Sequence, residues 1–517
     1  MRALYSCEQL REIEKKAPGE LMPLAGAAAA NAALALLKTR SQNLPKESPL
    51  LVLAGPGNNG GDAFELAAQV AHAGWPVSLC IMGDQAGYSP EAQRALHRVL
   101  QCGQTTGLQI IPDTEAIART DWALVVDGLF GIGLQRPIGG ALRGLVEHIN
   151  GLSCPRLALD VPSGLASDTG CIVGPDGVAV NASHTITFIG DKVGLHTADG
   201  CDLAGIISVA RLDIDPALFP PAQAWLNDTS LFAEHLQPRR QNTHKGCFGN
   251  VAVIGGAHGM SGAAILAGRA AAHTGAGKVW IGFLDEVPQF DSQQPELMCR
   301  QASTLDLFGT SSATSSTCIV AGPGMGDTQA AQDLLVRILQ QNSALVLDAD
   351  ALNLIAAQPA LQDAVRGRAQ AGFATLITPH PLEAARCLGT SAAMVQQDRL
   401  SAARRLAKQL RVVVVLKGAG TIIAREDGSC VINTTGNPAL ASGGSGDVLA
   451  GVCGALLAQG WPVWQAALAA VWLHGCAADV LVERGMGPIG LGANELTPVI
   501  REVLNQLIQS AAGQPRS

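Results

Sequence analysis

The stretch Asn437-Pro-Ala-Leu-Ala-Ser-Gly-Gly-Ser-Gly-Asp447 runs directly into the apolar series Val448-Leu-Ala-Gly-Val452. Three glycines and a serine ahead of an apolar run let backbone N–H groups turn inward at the start of a helix, where they and the helix dipole attract a phosphate. Asp447 falls beside that anion hole. A carboxylate there is placed to take a proton from a hydroxyl that attacks a phosphoryl group. Aspartate in a first helical turn also serves as an ordinary N-terminal carboxylate, so this motif alone leaves both readings open. Upstream, Lys417-Gly-Ala-Gly-Thr421 follows Val412-Val-Val-Val-Leu416, which reads as a buried strand ending in a phosphate-friendly turn. Two anion-binding loops this close in sequence predict a nucleotide site in an α/β domain.

Outward from these loops, apolar strands alternate with amphipathic helical patterns in both halves of the chain. Strands are expected at 251–254, 278–282, 318–321, 344–347, 375–378 and 411–416 in the second half. In the first half they are expected at 50–54, 77–82, 122–126 and 156–159, with helices over 63–73 and 91–100. Such alternation predicts parallel sheets covered by helices, with ligands at the carboxyl ends of the strands. Prolines at Pro216, Pro220, Pro221 and Pro238 punctuate a weakly periodic stretch over 215–242. We therefore expect a first domain over 1–220, a linker over 221–240 and a second domain over 241–517.

A length of 517 residues exceeds one hydrophobic core and requires at least two. Net charge −8, with no basic run, argues against nucleic acid as the main partner. Thirteen cysteines without metal-ligand spacing suit reduced thiols in the cytoplasm. The alanine-rich run 21–37 is apolar, but Pro23, Gly26 and Asn31 interrupt it. A packed helix is expected there rather than a membrane span.

In the first half, Gly55-Pro-Gly-Asn-Asn-Gly-Gly-Asp62 follows an expected strand and can present N–H groups to a phosphate. It lacks the lysine of a P-loop and the glycine spacing of a dinucleotide fingerprint. Asp127-Gly-Leu-Phe-Gly131 and Asp160-Val-Pro-Ser-Gly164 each put an aspartate at the end of an expected strand. With Asn59 they offer amide, carboxylate and hydroxyl oxygens to one crevice, a donor set for a hard cation.

These motifs carry a resemblance. Gly55 to Asp62, Asp127 to Gly131 and Asp160 to Gly164 are similar to the NAD(P)H-hydrate epimerase domain, of Rossmann-like three-layer fold. His244-Lys-Gly246, Gly255-Gly256 with Gly262-Ala-Ala264, Gly322-Pro-Gly-Met-Gly326, Asp348-Ala-Asp350, Thr378-Pro-His-Pro381, Lys417 to Thr421 and Gly443 to Asp447 are similar to the ribokinase-like NAD(P)H-hydrate dehydratase domain. Together they resemble, in order and over nearly the whole chain, the bifunctional NAD(P)H-hydrate repair family. The resemblance implies that the R and S epimers of NADHX and NADPHX are interconverted by the first domain. The second would dehydrate the S epimer with ADP and Mg2+, phosphorylating the hydroxyl and eliminating phosphate. It further implies K+ on Asn59, Asp127 and Ser163, and homo-oligomerisation.

Carried over by motif, the hydrate would lie against Asn58, Asn59, Gly60, Gly61 and Asp62, and against Gly131, Ile132, Gly133, Leu134, Gln135, Arg136 and Pro137. Asp160 would be the epimerase acid/base. Lys192 reads as a solvated loop residue and stays outside the catalytic set. Asp447 would be the base of the dehydratase, with Ala263, Gly326 and His380 on the hydrate. Lys417, Gly418, Ala419, Gly420 and Thr421, with Gly446, would hold the nucleotide. The chain departs from the family pattern at Ala63, where glycine is usual. It departs again at Gly128 and Ile132, where alanine and threonine are usual, and in Leu21 to Gly26, which lacks a charged pair. A ribokinase-like small-molecule kinase with a non-catalytic first half is the competing reading.

Overall fold

The computed structural model describes residues 2–40, 48–83, 88–304 and 316–513, and these divide into two compact units, 2–224 and 225–513. The division falls between Ala224 and Trp225. The stretch read as a linker is largely built into the second unit: Phe232 is fully buried in its core, and Asn227 donates to Asn433 and to the Leu468 carbonyl. Its prolines mark short turns rather than a free connection.

The first unit is a seven-stranded parallel sheet. From edge to edge its strands are Leu108–Ile110, Val77–Ile81, Leu50–Ala54, Leu124–Gly128, Arg156–Leu159, His184–Phe188 and Ile206–Ala210. The central strands are buried on both faces, which is why they read as continuous apolar runs rather than alternating ones. The last two strands, rich in threonine and serine, were not among the expected elements. The alanine-rich run is the helix Met22–Arg40, packed on the helix Asn58–His72 through Ala25, Ala29 and Ala33. Small side chains allow that close approach.

The second unit repeats the plan. Met298–Gln301, Lys278–Phe283, Asn250–Gly255, Thr317–Ala321, Ala344–Leu347, Thr375–Ile377 and Val413–Leu416 lie parallel in that order, followed by the antiparallel strands Ile422–Ala424 and Cys430–Ile432. The helices Ser445–Ala458 and Val463–Glu483 cover it. The latter is long and apolar enough to cross a membrane, yet most of it is buried in the unit's core. Counted along the chain, both sheets have strand order 3-2-1-4-5-6-7. Each therefore has a switch point between its first and fourth strands, where adjacent loops splay apart and open a crevice.

Candidate active sites

In the first unit, the crevice at the switch point is a cavity of about 610 Å³. Asp160 follows the strand Arg156–Leu159 and adopts left-handed backbone, φ 67°, a conformation held by its N–H bond to the Ile186 carbonyl. That turn sends its carboxylate into the cavity, where Oδ2 accepts from the Ile132 N–H at 3.3 Å. Oδ1 lies 2.8 Å from the Lys192 ammonium.

Lys192 is not a solvated loop residue. Its side chain is 1% exposed, and its Nζ donates to Thr187 Oγ1 and lies against the Phe188 and Gly190 carbonyls. Placed one strand beyond Asp160, it is brought to the cavity by sheet order, which no local pattern encodes. Asp191 and the ring of His196 close behind it at 2.9 Å.

Asn58, Asn59 and Asp62 line the cavity, as do residues 131–136. The Asn58–Asp62 segment is the first turn of a helix rather than an open phosphate loop. Gly60 and Gly61 are spent on packing against the Gly55 carbonyl and the Met22 side chain, and Pro137 lies against Gly174; none of the three lines the cavity. Burial holds Asp62 well above the usual carboxylate range, and the charges of Asp160, Glu14 and Glu65 raise it further.

Asn59 is buried, and among the described residues neither of its amide atoms has a hydrogen-bond partner. Asp127, fully buried, accepts from the Ser163 N–H at 2.8 Å and from its hydroxyl at 2.6 Å, with no cation side chain against it. Burial raises it to about 6. An orphaned amide oxygen beside a buried carboxylate and hydroxyl is a donor set that fits a monovalent cation.

In the second unit, Gly255–Gly256, Gly322–Gly326, Asp348–Asp350, Thr378–Pro381 and Lys417–Thr421 each lie at or just beyond the carboxyl end of a parallel strand, whereas His244–Gly246 precedes the strand Asn250–Gly255 and Gly443–Asp447 follows the antiparallel strand Cys430–Ile432. Asp447 is in the first turn of the helix Ser445–Ala458, whose cap Gly444 has φ 90°. The N–H groups of Gly446 and Asp447 leave that turn without helical acceptors, whereas the Ser445 N–H donates to the Ser442 carbonyl at 3.4 Å. Burial, then the charge of Asp348, raises Asp447 to about 7; Lys417 pulls the other way.

Lys417 stands at the centre of the site. Its ammonium is 2.9 Å from Asp348 Oδ1 and 3.9 Å from Glu383 Oε2, and 3.2 Å from where a Cβ on Gly446 would stand. Burial lowers its pKa, and the two carboxylates more than offset that, so it is raised. Gly418 to Gly420 form the exposed lip behind it. The buried Arg399 guanidinium reaches the Leu416 and Lys417 carbonyls and fixes the loop.

His380 caps the helix Pro381–Leu388. Its Nδ1 accepts from the Leu382 and Glu383 N–H groups, and its Nε2 is 3.1 Å from Glu383 Oε1. Both ring nitrogens are thus engaged, which leaves the ring itself for contact with a ligand. Gly326 donates to Asp350 at 2.8 Å, and Ala263 stands against the neighbouring Gly324. Sequence reading missed Glu383, raised to about 7 by burial, and Arg399. Glu383 had a signal, the capping-box spacing from His380; Arg399 had none.

With this geometry in hand, comparisons with known proteins become informative. A family model described as NAD(P)H-hydrate dehydratase matches residues 251–503, and one described as YjeF-related protein N-terminus matches 18–194. The bifunctional NAD(P)H-hydrate repair enzyme of Coxiella burnetii is 37% identical over 517 residues, spanning 98% of this chain and 100% of that protein. The chain belongs to the bifunctional NAD(P)H-hydrate repair family. The ADP-dependent (S)-NAD(P)H-hydrate dehydratase of Neisseria meningitidis is 42% identical over 283 residues, 54% of this chain and 93% of that one. The ADP/ATP-dependent NAD(P)H-hydrate dehydratase of Bacillus subtilis, co-crystallised with ATP/Mg2+, is 29% identical, with TM-score 0.44 over 53% of this chain and 97% of that chain.

Two of the positions noted in the sequence share one contact. A Cβ on Gly128 would stand 2.5 Å from the Ala63 methyl, 3.0 Å from the Leu53 carbonyl oxygen and 3.1 Å from that of Asn59, so the Ala63 methyl occupies space that a side chain at 128 would need.

Proposed function

We propose that the chain repairs hydrated nicotinamide nucleotides. The first unit interconverts the R and S epimers of NADHX and NADPHX. The second dehydrates the S epimer with ADP, giving AMP, phosphate and the reduced nucleotide. The observation that carries this reading is the pairing of a raised carboxylate, Asp447, with a helix N-terminus and a lysine beside it, in a chain matched end to end by a bifunctional repair enzyme.

Asp447, near pKa 7, takes the proton of the substrate hydroxyl as that oxygen attacks the β-phosphorus of ADP, and the bond to AMP breaks. The N–H groups of Gly446 and Asp447, with Lys417, stabilise charge on the transferred phosphoryl. The carbon–oxygen bond then breaks, phosphate departs with the electron pair, and loss of a ring proton restores the double bond. Mg2+ brought with the nucleotide would supply neutralisation of the phosphate charge.

In the first unit, Asp160 and Lys192 would flank the hydrated ring as an acid/base pair: the Asp160 carboxylate takes the hydroxyl proton as the bond from that carbon to the ring nitrogen breaks, Lys192 protonates the opened end that keeps the electron pair, and reclosure on the other face of the carbonyl so formed reverses both transfers and gives the other epimer. Asn59, Asp127 and Ser163 would hold K+, which would compensate the buried charge of Asp127. The family implies a homo-oligomer working in the cytoplasm.

The test follows absorbance of the reduced nicotinamide after purified S-hydrate, and then R-hydrate, is mixed with the protein with ADP, with ATP or without nucleotide. Recovery from both epimers, dependent on nucleotide, is expected. Recovery from S alone would remove the epimerase role. Nucleotide consumed on another alcohol, with neither hydrate recovered, would make the second unit a small-molecule kinase.

A further inference from the structure

The cavity of the first unit has charges that epimerisation of the ring does not use. Its lining includes four carboxylates, Glu14, Asp62, Glu91 and Asp160, of which Asp160 is paired with Lys192. A dinucleotide hydrate brings two to four further negative charges in its phosphates, so an acidic lining alone would repel it. Two guanidiniums oppose that field. Arg11 and Arg136 both line the cavity and both are exposed at it, and neither has an ion pair or hydrogen bond among the described residues.

Arg11 reaches the cavity by construction. It is on the helix Cys7–Lys16, whose start is fixed by the Ser6/Gln9 capping box and by the Cys7 N–H donated to Asp168 at 2.8 Å. Leu10 and Ile13 bury the other side of that helix, which turns Arg11 and Glu14 to the opening. An Arg11 Nη lies 4.0 Å from where a Cβ on Gly133 would stand, over the loop that also carries Arg136. Arginine is suited to this place: its planar fork binds phosphate oxygens in pairs, and its charge persists at any physiological pH.

We propose that Arg11 and Arg136 form an anion subsite at the opening of the cavity that takes the phosphate groups of the dinucleotide hydrate, making the helix Cys7–Lys16 a substrate-binding element. This rests on the epimerase reading of the cavity. The phosphates are of two kinds, the diphosphate common to both hydrates and the ribose 2′-phosphate of the phosphorylated one, and the experiment distinguishes them.

Full-length protein is mixed, without ADP, with the pure R-hydrate of NADH or of NADPH, and the approach to the epimer equilibrium is followed by chromatography. Arg11→Gln and Arg136→Gln are each expected to raise KM about tenfold, with kcat within about twofold, and to flatten its dependence on salt. Arg11→Lys should recover part of the loss. Equal loss with both hydrates assigns the subsite to the diphosphate, and loss confined to the NADPH hydrate assigns it to the 2′-phosphate. Unchanged KM in the double variant, or a fall in kcat alone, overturns the proposal. A wild-type chain that leaves the epimer ratio unchanged removes the premise, and the proposal with it, a result distinct from an active enzyme indifferent to both substitutions.

Discussion

Both units use the same strand order, and both open a site at the same place in it, yet they treat their lysine in opposite ways. In the first unit Lys192 is buried and set 2.8 Å from Asp160, the carboxylate at the floor of the cavity. In the second, Lys417 is given to Asp348 at 2.9 Å, and Asp447, half-buried on its helix, feels the Lys417 charge less than the burial and the Asp348 charge that raise it. On the proposed reading the consequence is chemical. A carboxylate and an ammonium in contact suit a reaction in which one proton leaves the substrate and another is returned as a bond opens and closes. A carboxylate raised to about 7 suits a base for a hydroxyl.

The sharpest way to break the comparison is Asp447→Asn. Dehydration of the S-hydrate should fall by about 10³-fold, within the range for a general base, while nucleotide affinity by calorimetry and epimerisation are unchanged. Equal loss of affinity and turnover would make Asp447 structural. Because the base must be ionised, wild-type kcat/KM for dehydration should rise with pH up to about 7 and level off above it.

Lys192→Met tests the other side. Epimerisation is expected to fall by about 10²-fold, with dehydration of pure S-hydrate untouched. Undiminished epimerisation would leave Lys192 only a buried support for Asp160.

A smaller effect separates the units by their ions. Asp127, raised to about 6 in the folded state, binds its proton more tightly there than when unfolded. Its contribution is therefore present at low pH and is lost as pH rises toward 6. A cation bound to the ionised form reverses that loss. KCl in place of NaCl should thus stabilise the first unit against unfolding at pH 8, by about 2.7 kcal/mol at a hundredfold excess over Kd, and far less at pH 5. Asp127→Asn should abolish the difference, and an equal response at both pH values would count against the site.

The smallest effect concerns packing alone. Gly128→Ala should cost about 1 to 3 kcal/mol in denaturant unfolding, because its new methyl meets Ala63. Adding Ala63→Gly should recover most of that. A double variant no more stable than the single one would mean that the two positions are not coupled through this contact.

Much of this was legible beforehand where the signal is local. The strands over 50–54, 156–159 and 344–347 coincide with observed elements because a doubly covered parallel strand is an unbroken apolar run. Lys417 was legible because a glycine-rich turn closes its apolar strand, and Asp447 because glycines and a serine precede an apolar helical run. The strand His184–Phe188 was missed because threonine and histidine dilute its apolar signal. Lys192 was misjudged for a related reason, since its burial depends on groups from Thr187 to Gly190 and on Asp160, which sheet pairing brings close.

The sequence by itself determined the doubly wound class, the division into two units and the motifs that end each strand, since periodicity, glycine and proline act within a few residues of where they stand. Only the tertiary structure decided what those motifs face: that Lys192 meets Asp160, that Asp348 holds Lys417, that the Ala63 methyl fills the space beside Gly128, and that Arg11 overlooks the cavity. Each of these joins residues far apart along the chain but a few ångströms apart in space. Their charge and volume take effect only once the sheet has set the distance between them.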